Sequence, residues 1–206
     1  MAKNYLSGRR AVGFFGLVLA LCLATGVPAR GGLVAHYGFE DFWSPGTVQD
    51  TAGGHDGTVY GANYTFDSRV GLAAMAFDGA SDVRTPYSPD FGLSTYSISA
   101  WVKIGVEQGN GGILGTRFGG DTTFDVKVRS TDIHGDVGSG SGWINTGVDI
   151  RPGDTGSNGQ GGDLAHDQGY LVTYVIDDAA KQFRLYLDAD LKRTIGYTGT
   201  PLLMKP

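Results

Sequence analysis

Tyr96-Ser97-Ile98-Ser99-Ala100-Trp101-Val102-Lys103 alternates residue by residue: Ile98, Ala100 and Val102 fall on one side, and Ser97, Ser99, Trp101 and Lys103 on the other. A period of two marks a strand, because successive side chains leave a pleated backbone on opposite faces. A second stretch repeats the pattern, with Phe183, Leu185 and Leu187 opposing Arg184, Tyr186 and Asp188. One apolar and one polar face per strand is what two sheets stacked face to face require. The polar faces carrying Trp101, Lys103, Arg184 and Tyr186 are either solvated or a binding surface. Alternation alone does not make the two strands neighbours.

Outward from these two stretches, short segments rich in β-branched and aromatic residues recur between glycines. They predict strands near 33–39, 57–65, 72–78, 82–86, 95–104, 112–118, 123–129, 142–149, 170–177, 182–188 and 192–197. The 35 glycines are scattered among them, and no stretch after the leader reads as a long amphipathic helix. The pattern predicts an all-β chain, a two-sheet antiparallel sandwich of jelly-roll type. Residues 150–168 form a long polar, glycine-rich loop. No period of 20 to 50 residues repeats, which argues against a solenoid or propeller.

The first 29 residues read differently. Lys3, Arg9 and Arg10 precede an apolar run over 11–27, and Val27-Pro28-Ala29 follows with small residues. This is the layout of a secretory signal peptide, with cleavage expected after Ala29 and one domain over 30–206. Two rival readings are an uncleaved membrane anchor and lipidation at Cys22. The apolar run is short for a span of about 20 residues. Leu21, just before Cys22, is larger than a lipidation signal uses. Cys22 is the only cysteine, so the processed domain would carry no disulfide and no thiolate chemistry.

Without Lys3, Arg9 and Arg10 the chain keeps 13 basic residues against 21 acidic ones, a formal charge of −8. An acidic surface without a basic cluster argues against nucleic acid and anionic membranes. The acids are 19 Asp and two Glu, Glu40 and Glu107. Asp beside Gly favours turns, and Asp-rich loops are also frequent calcium ligands.

Several motifs together resemble one family. They are Tyr37 to Phe39 closing an apolar stretch, the glycine-studded loop Asp50 to Gly57, Gly71 to Gly79, the Tyr96–Lys103 stretch, Val172 to Asp177, and Arg184 to Asp188. In this order they resemble the laminin G-like, concanavalin A-like jelly-roll domains of bacterial secreted proteins, over about residues 33–197. Two features depart from that family. Gly169-Tyr170-Leu171 stands where it carries Trp-His-His. The chain also stops at Leu203-Met204-Lys205-Pro206 without a closing Ile-Asp-Glu-Val-Arg-Ile-like strand, so the resemblance implies a jelly roll lacking its last strand.

The resemblance implies a structural Ca²⁺ at the sandwich rim. Asp50 and Asp56 flank a Gly-Gly turn, and Glu40, Asp41 and Asp78 are the other candidate ligands. The competing reading is that these acids only stabilise turns. For carbohydrate, an aromatic plate and planar polar groups are needed. Trp143, Trp101, Tyr186, Arg184, Arg117 and Asn145 supply those types, and Trp143, in a Gly-Ser-rich context, is expected to be the most exposed.

Catalysis finds little support. Glycoside hydrolysis needs two carboxylates flanking the bond, and the two Glu lie 67 positions apart with no paired motif. Asp121 and Asp125 are expected on a solvated face. No Gly-x-Ser-x-Gly elbow and no zinc-spaced histidines occur. The expectation is a secreted, non-enzymatic binding or adhesion module whose partner is an extracellular glycan or a protein surface. The alternatives are a structural surface domain and a divergent hydrolase or lyase.

Overall fold

The computed structural model describes residues 32–103, 111–115, 124–129, 132–145, 149–150, 165 and 167–202. The chain divides into Met1–Gly32 and Leu33–Pro206, and the fold is that of the second unit. The signal-peptide reading, Cys22, Arg117, Asp121 and most of the 150–168 loop lie outside the described residues. Among those described, no helix is long and apolar enough to cross a membrane.

Fourteen strands run in order through the described residues. They are β1 (Thr47–Val48), β2 (Gly57–Tyr60), β3 (Asn63–Thr65), β4 (Ala74–Ala76), β5 (Asp82–Arg84), β6 (Tyr96–Lys103), β7 (Gly111–Gly115), β8 (Phe124–Arg129), β9 (Asp132–Gly138), β10 (Trp143–Asn145), β11 (Asp149–Ile150), β12 (Gly169–Asp177), β13 (Gln182–Leu187) and β14 (Asp190–Gly196). One 3₁₀ turn, Pro89–Phe91, is capped by the Ser88 hydroxyl. All strand pairs are antiparallel. A four-stranded sheet has the order β14-β13-β12-β6. A five-stranded sheet runs β10-β9-β8-β7, with β11 also on β9. Smaller sheets are β1-β2-β5 and β3-β4.

The core lies between the two larger sheets. Val172, Tyr174, Ile176, Phe183, Leu185 and Leu187 of the four-stranded sheet meet Phe124, Val126, Ile133 and Val137 of the five-stranded one. Each fully buried large side chain contributes about 1.5–3 kcal/mol. An aromatic column crosses this core. Tyr96, Phe124, Tyr174, Phe183 and Tyr197 follow one another with ring centroids 5.5–6.3 Å apart. The protein is an all-β antiparallel sandwich. The alternation read in Tyr96–Lys103 and in Gln182–Leu187 holds: their apolar members face inward and the others outward.

Three strand expectations change. The 33–39 stretch is not a strand; only Tyr37 bridges, to Asp50. Its backbone is instead tied to a loop, His36 N–H donating to Asp50 Oδ1 (2.7 Å) and Thr51 N–H to His36 O (2.9 Å). The 57–65 stretch splits at Gly61, whose φ of +75° breaks the extended run. The halves, β2 and β3, join different sheets. The third change is β9, which the sequence reading missed. Asp, His and Gly at 132–138 look like a loop, yet Ile133 to Gly138 are buried throughout. Gly135 is required there, because a Cβ would lie 2.6 Å from Tyr174 Cε2.

Candidate functional site

Among the described residues, a cleft opens on the outer side of the four-stranded sheet, towards one end of β6. Trp101 of β6 sits opposite Leu171 of β12. Its indole faces outward because Ala100 and Val102 face in, and 44% of the residue is exposed. The β13–β14 hairpin closes the neighbouring side. Its two central residues, Asp188 and Ala189, have φ of 51° and 71°, the left-handed pair a type I′ turn demands. Asp188 N–H donates to Leu171 O (2.9 Å), and Leu171 N–H donates to Asp188 Oδ1 (2.8 Å). The hairpin tip is thereby clamped to β12, with its carboxylate at the cleft.

The third wall is the loop between β3 and β4. Glu40 holds it, accepting from Leu72 N–H (3.0 and 3.2 Å to its two oxygens) and Ala73 N–H (3.5 Å). Lys103 Nζ holds it from below, 2.5 Å from Asp67 Oδ2 and 3.9 Å from Asp167 Oδ1. The Asp67 carboxylate raises the Lys103 ammonium above its ordinary pKa. Arg69 is thus carried over the indole, its Cζ 5.5 Å from the Trp101 ring centroid. The Arg69 stem runs alongside Gly169, 3.9 Å from where a Cβ would stand, which is ordinary van der Waals contact. The cleft is shallow and open, with a volume of about 400 Å³, and is also lined by Gln168. Chemically it offers a half-exposed indole plate, a guanidinium, a carboxylate and an amide side by side.

Of the residues proposed from sequence for carbohydrate, the structure gathers Trp101, Tyr186 and Arg184 on the outer face of one sheet. Through β12, Ser99 aligns with Thr173 and Tyr186, and Ser97 with Val175 and Arg184. Only Trp101 lines the cleft. Arg184 is already paired with Asp177 (2.6 Å). Trp143 belongs to β10 of the other sheet, and Asn145 follows on the same strand. The exposure expected of Trp143 is corrected: it is half-buried, and the exposed tryptophans are Trp43 and Trp101. Arg69, Gln168 and Asp188 were missed. Nothing local marks Arg69; the Leu187-Asp188-Ala189-Asp190 turn was the one legible signal.

The five acids proposed for calcium each hold backbone. Asp50 Oδ1 accepts from the amides of His36 and Ala52, and Oδ2 from those of Gly53 and His55 and from His55 Nδ1. Burial alone would raise its carboxyl, but these amides outweigh it and hold the group well below the usual carboxylate range. Asp56 accepts from Asp50 N–H (2.8 Å), Asp41 from Gln49 N–H (2.9 Å), and Asp78 from Ala80 and Ser81 N–H (3.0 and 2.9 Å). Glu40 holds the Arg69 loop. Among the described residues no group of three or more carboxylates, imidazoles or thiols is arranged to hold a metal ion.

The outer side of the five-stranded sheet also departs from expectation. Asp125, expected to be solvated, has a side chain only 14% exposed and pairs with Lys127 at 2.7 Å. Directly across, Asp136 of β9 meets His134 Nε2 at 2.6 Å, and its Oδ1 is buried without a hydrogen-bond partner.

No protein-family model and no curated protein matches the sequence. Solved structures do. Domain 4 of AbnA, a GH43 extracellular arabinanase from Geobacillus stearothermophilus solved in complex with arabinotriose, is similar at 19% identity and a TM-score of 0.58, over 84% of this chain and 79% of that one. The likeness is one of fold. A structure from work on ganglioside-dependent cell entry of botulinum neurotoxin type C is similar at 11% identity and a TM-score of 0.48, over 78% of this chain and 41% of that one. The sandwich architecture read from the alternation therefore recurs in a solved domain.

Proposed function

We propose that this protein is a non-catalytic carbohydrate-binding module that works outside the cell, with the Trp101 cleft as its sugar site. The observation that carries the reading is the half-exposed indole of Trp101 beside Arg69, Asp188 and Gln168 in one cleft. A pyranose or furanose presents C–H groups on its faces and hydroxyls on its edge. An indole plate takes the first, and planar charged and amide groups take the second. Support of a second kind comes from the fold, which is shared with a domain that binds arabinotriose. The leader read from the sequence agrees with an extracellular place of action.

A glycan array probed with the purified protein, with and without a calcium chelator, tests the reading. Saturable binding to at least one neutral glycan, lost in Trp101→Ala, is expected. Binding that survives Trp101→Ala undiminished, or no binding across the array, would reject the site. Loss of binding on chelation would support the calcium expectation independently of it.

A further inference from the structure

Beyond the cleft, the same loop leads to a second set of exposed aromatic rings. Phe66, at the start of the β3–β4 loop, is 75% exposed, and Trp43 is 69% exposed. Phe42 joins them, with its centroid 5.6 Å from Phe66 and 5.0 Å from Trp43, both edge-on. Contiguous exposed rings of this size usually mark an interaction site.

The β3–β4 loop connects the rings to the cleft, carrying Phe66 at its start and Arg69 over Trp101. Lys103 lies two positions from Trp101 on the same face of β6, about 7 Å along the strand. Its Nζ is bonded to Asp67, and Asp67 is next in sequence to Phe66. A strip of successive neighbours therefore links Trp101, through the Lys103–Asp67 pair and the adjoining Phe66, to Phe42 and Trp43. Followed from neighbour to neighbour it measures on the order of 20 Å, several times the width of one sugar ring. Its two ends are aromatic and its middle is polar.

We infer that the ligand is a linear oligosaccharide of at least three sugars, laid along this strip, rather than a single terminal sugar held in the cleft. This rests on the carbohydrate reading above. The distribution of chemistry favours a sugar chain over a membrane. A lipid surface rewards continuous apolar area flanked by cations. Here an ion pair interrupts the aromatics, and the whole chain carries a formal charge of −5. A sugar chain presents stacking faces and hydroxyl edges in succession, which an aromatic–polar–aromatic strip matches.

Calorimetric titration tests this with 1,5-linked arabino-oligosaccharides of one to six units and β-1,4-linked gluco-oligosaccharides of two to six. For at least one series, affinity is expected to rise tenfold or more from the dimer to the pentamer. Trp43→Ala and Phe66→Ala should each remove most of that gain while leaving the affinity for the shortest ligand unchanged. Both residues are exposed, and circular dichroism melts verify that the variants fold. Affinity independent of chain length, or a gain that survives both substitutions, overturns the inference while leaving the Trp101 site standing. No binding by either series, in a protein that also fails on the array, overturns both. Phosphatidylcholine vesicle binding or self-association that is lost in Trp43→Ala, without any chain-length effect, also overturns it and assigns the rings to a membrane or a second copy.

Discussion

The His55 imidazole locks onto the buried Asp50 carboxylate, Nδ1 to Oδ2 at 3.0 Å, while its Nε2 lies 3.1 Å from both Ser88 Oγ and Asp90 Oδ2. One ring thus ties the Asp50–Gly57 loop to the 3₁₀ turn. Burial alone would lower the His55 pKa, but its hydrogen bonds to Asp50 and Asp90 outweigh that and raise it. A raised pKa contributes stability that is full below about pH 6.5 and is lost as pH climbs through the folded value. Asp50 is depressed, so its contribution is full above about pH 4 and is lost as pH falls through its lowered value. Melting temperature should therefore peak between about pH 4 and 6.5. His55→Gln should flatten the alkaline limb, and an unchanged alkaline limb would count against the lock. Asp50→Asn should cost about 3 kcal/mol in denaturant titrations, because it strands buried donors.

Trp101→Ala removes the plate on which a sugar would stack. A loss of at least tenfold in affinity is expected, about 1.4 kcal/mol, with the melting temperature nearly unchanged because the ring is half in solvent. Arg69→Ala should weaken binding less, since the indole remains. Calorimetry against the best glycan from the array measures both.

The loop that carries Arg69 depends on a glycine. Gly71 has a φ of +78°, and a Cβ there would run into the Glu40 carboxylate that holds Leu72 N–H. Gly71→Ala should release the loop and reduce sugar affinity several-fold. Global stability should fall by about 1–2 kcal/mol. Glu40→Gln, which weakens the same anchor without backbone strain, should have a smaller effect in the same direction.

Ala189 is strained where glycine would rest. With φ of 71° it occupies left-handed space in the β13–β14 turn. Ala189→Gly should stabilise the domain by about 1 kcal/mol, seen as a higher denaturation midpoint. Asp188 keeps its bonds to Leu171, so sugar affinity should not change.

Gly135 lies under the Tyr174 ring, and any Cβ there meets Cε2 at 2.6 Å and Cζ at 2.9 Å. Both strands are central in their sheets, so neither can retreat. Gly135→Ala should cost about 2 kcal/mol, measured by denaturant unfolding. A neutral outcome would mean the two sheets can part locally, and would weaken the account of β9 as a core strand.

Local pattern decided much of this protein. Alternation in Tyr96–Lys103 and Gln182–Leu187 set which side chains face the core, because a pleated backbone sends neighbours to opposite sides wherever the strand ends up. It also placed Trp101 on an outward face. What alternation could not say is which strands lie together, since pairing joins residues as distant as Trp101 and Leu171. The tertiary structure alone brought Arg69 over Trp101, set Asp188 beside it and joined Phe66 to Phe42. It also buried Ile133–Gly138 of β9 in the core, where Tyr174 on the opposite sheet occupies the space that Gly135 leaves empty. The acids at Glu40 and Asp50 read as metal ligands by residue type. Their neighbours in space gave them backbone amides to hold, and no sequence pattern states which amides those are.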